Sequence, residues 1–195
     1  MANVPTRAEA LELMHEYTDR GSLRKHMYAV EAAMRAYAEK YGEDIELWGA
    51  TGLIHDFDYE RWPNDAHSPT EEHPSTGVAI LRERGWPEEV LDAVMAHADY
   101  TNVPATSLLA KTLRAVDELA GFVMASALIR PTGITDLGAK SVKKKLKDKR
   151  FAAAVSREDI REAQEALGED LTEHIEFVIS AMRGITDELE LQGHA

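Results

Sequence analysis

The most informative part of the sequence, residues 44–61, reads DIELWGATGLIHDFDYER. Its first part, residues 44–56, predicts a helix that becomes almost wholly apolar before it reaches His55 and Asp56. An imidazole and a carboxylate at the end of a core helix are costly to bury unless they are paired or bind a metal ion. The doublet therefore predicts a functional site at the end of a buried helix.

Amphipathic patterns on both sides of this stretch predict further helices and no strands. Residues 23–41 place apolar side chains at three- and four-residue intervals, and residues 104–129 form the longest apolar helix. Cap residues predict helix limits, with Ser22 before one helix and Gly42 after it, and with Ser156 before a later helix and Gly168 after it. Other helices are predicted over residues 6–18, 44–56, 73–84, 87–98, 156–167 and 170–190. The predicted fold class is all-α, a helical bundle.

The composition excludes several classes of function. The 195 residues include no cysteine, which excludes disulfides, thiolate metal sites and cysteine nucleophiles. The formal net charge of -13 opposes binding to nucleic acid and to anionic membranes. No run of about 18 apolar residues indicates a membrane span, and the polar first helix is unlike a signal peptide. We therefore expect a cytoplasmic protein that acts on a small molecule.

Further histidines and one aspartate repeat the chemistry of the doublet. His26 lies upstream, and His73, His97 and Asp117 lie downstream, in or beside predicted core helices. Neutral imidazole and carboxylate hold hard or borderline divalent metals without thiolates. Taken singly, each has an ordinary interpretation, such as a half-buried core histidine or an aspartate paired with a basic residue on the next helical turn. Together, in the order His, His-Asp, His, His, Asp, they predict a metal site.

This order resembles the HD superfamily of metal-dependent hydrolases, which are helical proteins named for the His-Asp doublet. The similarity extends over about residues 22–182 and includes the strings LRKHMYAVEAAMRAYA, LWGATGLIHDFDYERWP and LRAVDELAGFVMA. The group of bacterial and archaeal proteins that the chain resembles has no settled substrate. The resemblance therefore implies an HD-domain helical bundle and a metal-dependent hydrolase, but not a particular reaction.

The resemblance also implies a set of metal ligands. In the family, the first His, the doublet and the last Asp bind one metal, and two intervening histidines are typical of members with a second metal bridged by the doublet aspartate. Carried over to this chain, the ligands are His26, His55, Asp56 and Asp117 for the first metal, and His73 and His97 for the second. His67 is an alternative to His73, but we favour His73 because it begins a helix. We expect one or two divalent ions, with Mn or Fe favoured and Co, Ni, Mg and Zn left open.

A basic segment, residues 140–150, stands out in this acidic chain because it holds seven of the 22 basic residues. It is interpreted either as a solvated helix face or as a flap that binds substrate phosphate. The candidates for phosphate binding are Ser141, Lys144 and Lys145.

Other candidates lie close to the doublet or beside His26. Tyr59 and Arg61 are predicted to line the cleft and bind substrate, and Lys25 and Asp58 to join Asp56 in catalysis. A solvated helix flank is the alternative for Lys25. Glu118, adjacent to the last ligand but about 100° round the helix, is predicted to contact a neighbouring helix or support the ligands.

The favoured function is a metal-dependent phosphohydrolase that acts on a phosphomonoester or phosphodiester, possibly a nucleotide. A small anionic, phosphorylated substrate fits the basic segment. The same six-ligand order also occurs in diiron oxygenases of the HD fold, and a non-catalytic module that senses a nucleotide or metal is a third hypothesis. Sequence does not choose between the two reactions, because both use the same ligands.

The chain is predicted to be a single HD domain over residues 1–195. Its metal-binding core would occupy about residues 22–130, with the basic segment and helices of residues 131–195 packed on it. A monomer and a homodimer are both compatible with the sequence. Apolar residues of the last helix are expected to complete the core, with a dimer face as the alternative: Ile175, Val178, Ile179 and Met182.

Overall fold

The computed structural model describes residues 4–194. Over this range the chain forms ten α-helices and one short 3-10 helix, Asp99–Thr101, and contains no β-strand, which confirms the all-α prediction. The α-helices are α1 (Arg7–Tyr17), α2 (Gly21–Tyr41), α3 (Ile45–Ile54), α4 (Ser75–Glu83), α5 (Glu88–Ala96), α6 (Leu108–Leu128), α7 (Ala139–Leu146), α8 (Arg157–Leu167), α9 (Leu171–Arg183) and α10 (Thr186–Leu189). None of these helices is both long and apolar enough to cross a membrane.

The centre of the bundle is formed by α2 and α6. Helix α2 packs against α3, α6 and α9, and α6 also packs against α5 and α8. The apolar side of α2 faces this centre, since Met27, Val30 and Met34 are fully buried, as the periodicity predicted. Two long helices thus form the frame that carries His26 and Asp117.

Helix α3 is buried along nearly its whole length, and this brings the doublet to the interior. All residues from Leu47 to Ile54 are buried, so the helix presents no solvated face. Its close packing on α2 depends on Gly52, where an added Cβ would lie 3.0 Å from the Cα of Glu31. Asp44 caps the start of the helix by accepting hydrogen bonds from two backbone N–H groups. His55 follows the last turn and therefore enters the protein interior.

The cap residues predicted the helix limits with one error. Ser156 is the N-cap of α8, since its Oγ accepts a backbone hydrogen bond at 3.1 Å. Gly42 and Gly168 end α2 and α8 in the left-handed conformation, with φ of 73° and 80°. The prediction of Ser22 as an N-cap is wrong, because it is already the second residue of α2. The N-cap is Arg20, whose side chain makes no capping hydrogen bond.

The C-terminal helices pack on the frame of α2 and α6. Helix α8 contacts α6, and α9 contacts α2, α6 and α7. The helix predicted over residues 170–190 is divided, because α9 ends at Arg183 and α10 begins at Thr186. Four apolar side chains of α9 are fully buried, which confirms that they complete the core: Ile175, Val178, Ile179 and Met182.

Candidate metal centre

Two groups of histidine and aspartate lie where α2, α3, α5 and α6 meet. The ligand atoms within each group lie within 4.8 Å of one another. We call them the first set, which is His26, His55 and Asp117, and the second set, which is Asp56, His73 and His97. The structure therefore brings together all six residues that the resemblance implied as ligands, from positions spread over 92 residues of sequence.

Asp56 lies between the two sets and faces both. Its Oδ2 is 3.7 Å from Nε2 of His26 and 3.5 Å from Nε2 of His55. Its Oδ1 is 3.3 Å from Nε2 of His73 and 3.6 Å from Nε2 of His97. Each oxygen of one carboxylate thus faces two imidazoles, which is an arrangement suited to a bridge between two cations.

The first set is closed by the aspartate of α6. Oδ1 of Asp117 lies 2.9 Å from Nε2 of His26 and 3.3 Å from Nε2 of His55. Among the described residues Asp117 pairs with neither Arg114 nor Lys111, the ordinary interpretation of its sequence, and Arg114 pairs with Asp99 instead. Asp117 is therefore directed towards the histidines.

Two histidines are oriented by the ends of the helices that precede them. The last carbonyl groups of a helix have no partner within the helix. Nδ1 of His55 donates to the carbonyl of Gly52 at 2.8 Å, and Nδ1 of His97 donates to the carbonyl of Val94. Both rings therefore keep the proton on Nδ1 and present Nε2 to the site.

His73 is oriented by a buried carboxylate. Its Nδ1 donates to Oδ1 of Asp58 at 2.7 Å, and Oδ2 of Asp58 accepts a hydrogen bond from the backbone N–H of Gly77 at 2.7 Å. Gly77 is required for this contact, because an added Cβ would lie 2.6 Å from Cγ of Asp58. The hydroxyl of Tyr100 donates a hydrogen bond to the backbone carbonyl of His73 at 2.6 Å.

Asp58, predicted to take part in catalysis, lies behind His73 in this arrangement. Asp58 is 1% exposed, and both of its oxygens are used by His73 and Gly77. Asp58 does not line the cavity, so it is not placed to contact a substrate there. Its role is to fix the tautomer and orientation of His73, as carboxylates behind metal-binding histidines do.

The electrostatics of His55 show that the site suits a cation. Burial by itself would lower the pKa of this fully buried imidazole, but the carboxylates of Asp56 and Asp117 raise it to about 9. Within residues 4–194, Nε2 of His55 has no hydrogen-bond partner, although Oδ1 of Asp117 lies 3.3 Å away. A buried nitrogen facing two carboxylates without a good hydrogen bond is an orphan that a metal ion would satisfy.

The two aspartates of the site are held in the ionised form. Burial would raise the pKa of Asp56, but His55, His97 and His73 hold it well below its usual range. Burial would likewise raise the pKa of Asp117, but His55 and His26 lower it. Ionised carboxylates and imidazole Nε2 atoms without thiolates fit one or two hard or borderline divalent ions.

A cavity of about 640 Å³ opens onto the two sets. Five of the six residues of the sets line it, and fully buried His55 is the exception. Tyr59, predicted to bind substrate, also lines this cavity and packs edge-on against His73. The remaining lining residues are Asn64, His67, Ala98, Asp99, Tyr100, Arg114, Glu118, Gly121, Ala154, Val155, Ser156 and Asp159.

His67 lies at the cavity wall but outside both sets. Its ring stacks on that of Tyr100, with centroids 4.9 Å apart and an interplanar angle of 14°. His73, by contrast, belongs to the second set. The geometry therefore agrees with the preference for His73 over His67.

Two other predicted site residues, Lys25 and Arg61, are turned away from the cavity. Lys25, predicted as catalytic, forms an ion pair with Glu190. Arg61, predicted to bind substrate, donates to the carbonyl of Glu16 and lies over the ring of Tyr17, 4.4 Å from its centroid. Both cations already have partners on other elements, and neither lines the cavity.

The basic segment also lies away from the metal-ligand sets. Most of it forms α7, and the predicted phosphate-binding residues Ser141, Lys144 and Lys145 do not line the cavity. Lys145 instead lies over the ring of Phe151, 4.7 Å from its centroid. Phosphate binding by these three residues therefore stays a prediction. Helix α7 packs its apolar face on α9, so its lysines point outward.

Glu118 contacts a neighbouring helix, as predicted, and also lines the cavity. Its Oε2 accepts a hydrogen bond from the backbone N–H of Ser156 at 3.1 Å, at the start of α8. Burial and the adjacent Asp117 raise the pKa of Glu118 to about 7. This contact ties α6 to α8 at the cavity wall.

Several lining residues were not predicted from the sequence, chiefly Arg114, Asp99 and Asp159. Arg114 had a usable signal, since it precedes Asp117 by three residues and so lies on the same face of α6. Asp159 had none, because α8 is far from the ligands in sequence and reaches the cavity only by packing on α6.

Comparison with known families identifies one match. The family model described as the HD domain matches residues 23–121, which is half of the chain and includes all six residues of the two sets. A search of curated proteins and a search of solved structures returned no match.

Proposed function

The chain belongs to the HD domain family, and from its two ligand sets we propose that it is a metal-dependent phosphohydrolase acting on a phosphomonoester or phosphodiester. The observation that carries this proposal is the position of Asp56. Its two oxygens face different pairs of histidines at 3.3–3.7 Å. A single carboxylate shared by two all-N/O sets favours two divalent ions in one centre.

The residues of the chain would divide the work of such a centre. His26, His55 and Asp117 would hold one ion, His73 and His97 the other, and Asp56 both. When bound, divalent ions supply electrostatic attraction for phosphoryl oxygens and lower the pKa of water, which makes it a better nucleophile.

Tyr59 supplies a neutral hydrogen-bond donor at the wall of the cavity. Burial and the nearby Asp56 raise the pKa of its hydroxyl, so the group stays protonated at neutral pH. A protonated hydroxyl can donate a hydrogen bond to an oxygen of the substrate. This matches the substrate-binding role predicted for Tyr59 from its place after the doublet.

We also propose which metals and substrate the protein binds and where it works. Mn and Fe are favoured, because both accept mixed imidazole and carboxylate ligands. A small phosphorylated substrate, rather than nucleic acid or a membrane, fits a chain with a net charge of -13. A cytoplasmic location and a monomeric or homodimeric state complete the proposal.

The test is phosphate release from a panel of phosphomonoesters, phosphodiesters and nucleotides, with Mn²⁺, Fe²⁺, Co²⁺, Ni²⁺, Mg²⁺ or Zn²⁺ added in turn. Asp56→Ala should lower activity by more than about 100-fold, since loss of even an outer-shell partner costs 10–100-fold. Asp92→Ala is the matched control, because Asp92 is an exposed residue of α5 outside the cavity. Its activity should equal that of the wild type.

A second candidate, a diiron oxygenase, is favoured by the same bridging position of Asp56, because this ligand set also suits iron. Consumption of oxygen that requires Fe²⁺, without release of phosphate from any member of the panel, would reject the hydrolase in favour of this alternative. Bound metal with neither activity would instead favour a sensing module.

A further inference from the structure

Arg114 is the one lysine or arginine among the described residues that line the cavity of the metal centre. It lies on α6, three residues before Asp117. This spacing places the two residues on the same helix face, about 4.5 Å apart along the axis. A guanidinium group therefore lies one turn from a metal-ligand residue.

Asp99 holds Arg114 in place without using all of its donors. Nη2 of Arg114 contacts Oδ1 of Asp99, which follows the second-set residue His97 by two positions. Within residues 4–194, the structure shows no other ion pair or hydrogen bond of the Arg114 side chain. Guanidinium has five N–H donors in a fixed fork, so several remain for a ligand in the cavity.

The charges around Arg114 limit what this cavity can accept. Outside the two sets, the ionisable lining residues include three carboxyl groups: Asp99, Glu118 and Asp159. The lysines that could have balanced them line a different cavity, which is bounded by Lys143, Lys147 and Lys149. One anionic group of a ligand can pair with Arg114. A second anionic group of the same ligand would instead lie near the carboxylates of Asp99 and Asp159.

We propose that Arg114 binds the oxyanionic group of the substrate beside the metal centre, and that Asp99 and Asp159 disfavour a substrate with a second such group. The proposal rests on the proposed function for the identity of the oxyanion, which is a phosphoryl group. The substrate class is then a singly phosphorylated small molecule rather than a polyphosphate. Arg114, not the basic segment, supplies the recognition.

The first test is binding of inorganic phosphate to the Mn²⁺-loaded protein, measured by calorimetry with the metal content of each sample determined. Arg114→Gln should weaken the affinity by about 10–100-fold, the usual consequence of losing charged hydrogen bonds. Arg114→Lys should restore part of the loss, because it restores the charge but not the fork.

The matched control is Arg82→Gln. Arg82 also pairs with a carboxylate, that of Glu88 at 3.5 Å, but both side chains are more than half exposed and lie outside the cavity. Its phosphate affinity should equal that of the wild type. Equal phosphate affinity of Arg114→Gln and wild type would overturn the proposal and leave Arg114 with a structural role only.

The second test addresses the carboxylates. Asp159→Asn removes one negative charge from the wall and should strengthen phosphate binding, whereas Asp92→Asn on α5 should not. Fructose 6-phosphate, added as a competitor, should compete more strongly than fructose 1,6-bisphosphate in the wild type. An unchanged affinity in Asp159→Asn, or a bisphosphate that competes as strongly as fructose 6-phosphate or more strongly, would overturn the restriction to one oxyanion.

The role of Arg114 and the hydrolase activity can be rejected independently of each other. Phosphate binding does not require turnover, so a wild type that binds phosphate through Arg114 but releases none from esters would reject the hydrolase and retain the inference. If Arg114→Gln instead hydrolysed esters as efficiently as the wild type, the hydrolase would be retained and the role of Arg114 rejected.

Discussion

His55 and His174 are both completely buried, yet their surroundings prepare them for different roles. Nδ1 of His174 accepts a hydrogen bond from the hydroxyl of Tyr37 at 2.5 Å, and its Nε2 donates to the carbonyl of Ala115 at 2.9 Å. His55 uses only Nδ1 in this way, and its Nε2 faces carboxylates without a hydrogen bond. Burial alone therefore does not identify a ligand histidine; a ring nitrogen left free to face acidic groups does.

The pKa values of the two rings are shifted in opposite directions, lowered at His174 and raised at His55. Burial lowers the pKa of His174, and its neutral ring joins α9 to α2 and α6 through two hydrogen bonds. Two carboxylates overcome the effect of burial at His55 and raise its pKa to about 9. One site stabilises a neutral imidazole, and the other accumulates negative charge that a cation would balance.

The largest expected effect separates the two histidines by their response to metal. Metal at 100 times its dissociation constant stabilises a protein by about 2.7 kcal/mol, which raises Tm by roughly 5–10 °C in a chain of this size. His55→Gln should lose most of this metal-induced rise, because it removes a ligand from the first set. His174→Gln should keep the whole rise.

His174→Gln should instead lower Tm equally with and without metal, because it leaves Tyr37 or Ala115 without a partner, at about 1–3 kcal/mol for each. Thermal unfolding in Mn²⁺ and in chelator measures both effects. If His174→Gln reduced the metal-induced rise in Tm as much as His55→Gln, the two histidines would not have the separate roles inferred here.

A smaller effect is expected from the carboxylate behind His73. Asp58→Asn keeps the shape of the side chain but removes the charge that orients Nδ1 of His73. Metal affinity at the second set should fall by about 10–100-fold, with affinity at the first set little changed. Metal titration should then resolve one tight and one weak site. Two sites of unchanged affinity would show that the buried carboxylate is dispensable, and Asp92→Asn is the control.

The smallest expected effect is the pH dependence of metal binding by the wild type. A metal binds neutral imidazole, but the raised pKa of His55 keeps this ring protonated below about pH 9 in the metal-free protein. Raising the pH from 7 to 8 should therefore strengthen metal binding by about tenfold for each proton displaced. His174→Gln should show the same slope, since its neutral ring releases no proton. An affinity that does not vary over this range would contradict the role of His55.

Local patterns in the sequence were good guides to the helices and poor guides to the cavity. The apolar stripe of α2 and the glycines at residues 42 and 168 act within one helix, so their effects could be read without the fold. The division of the last predicted helix after Arg183 was missed. Gly184, the C-cap of α9, was the available signal, whereas the contacts of α10 with α2 and α9 are tertiary.

The basic segment shows why charge along a sequence does not locate a substrate site. Its seven basic residues are close together in the chain, but α7 turns its buried residues, Ala139 and Val142, towards the core and its lysines outward. Arg114 stands alone in the sequence, yet it lines the cavity because α6 also carries Asp117. Position relative to a ligand on the same helix was the more informative signal.

The sequence by itself determined the all-α class, the family and the chemical identity of the six candidate ligands. These follow from helical periodicity and from residue types in a fixed order, which are properties of short segments. The packing of the helices was needed to show that Asp58 supports His73 and that Asp99, Asp159 and Arg114 line the same cavity. The physical reason is that these contacts join residues on different helices, so they depend on how the helices pack rather than on what each helix contains.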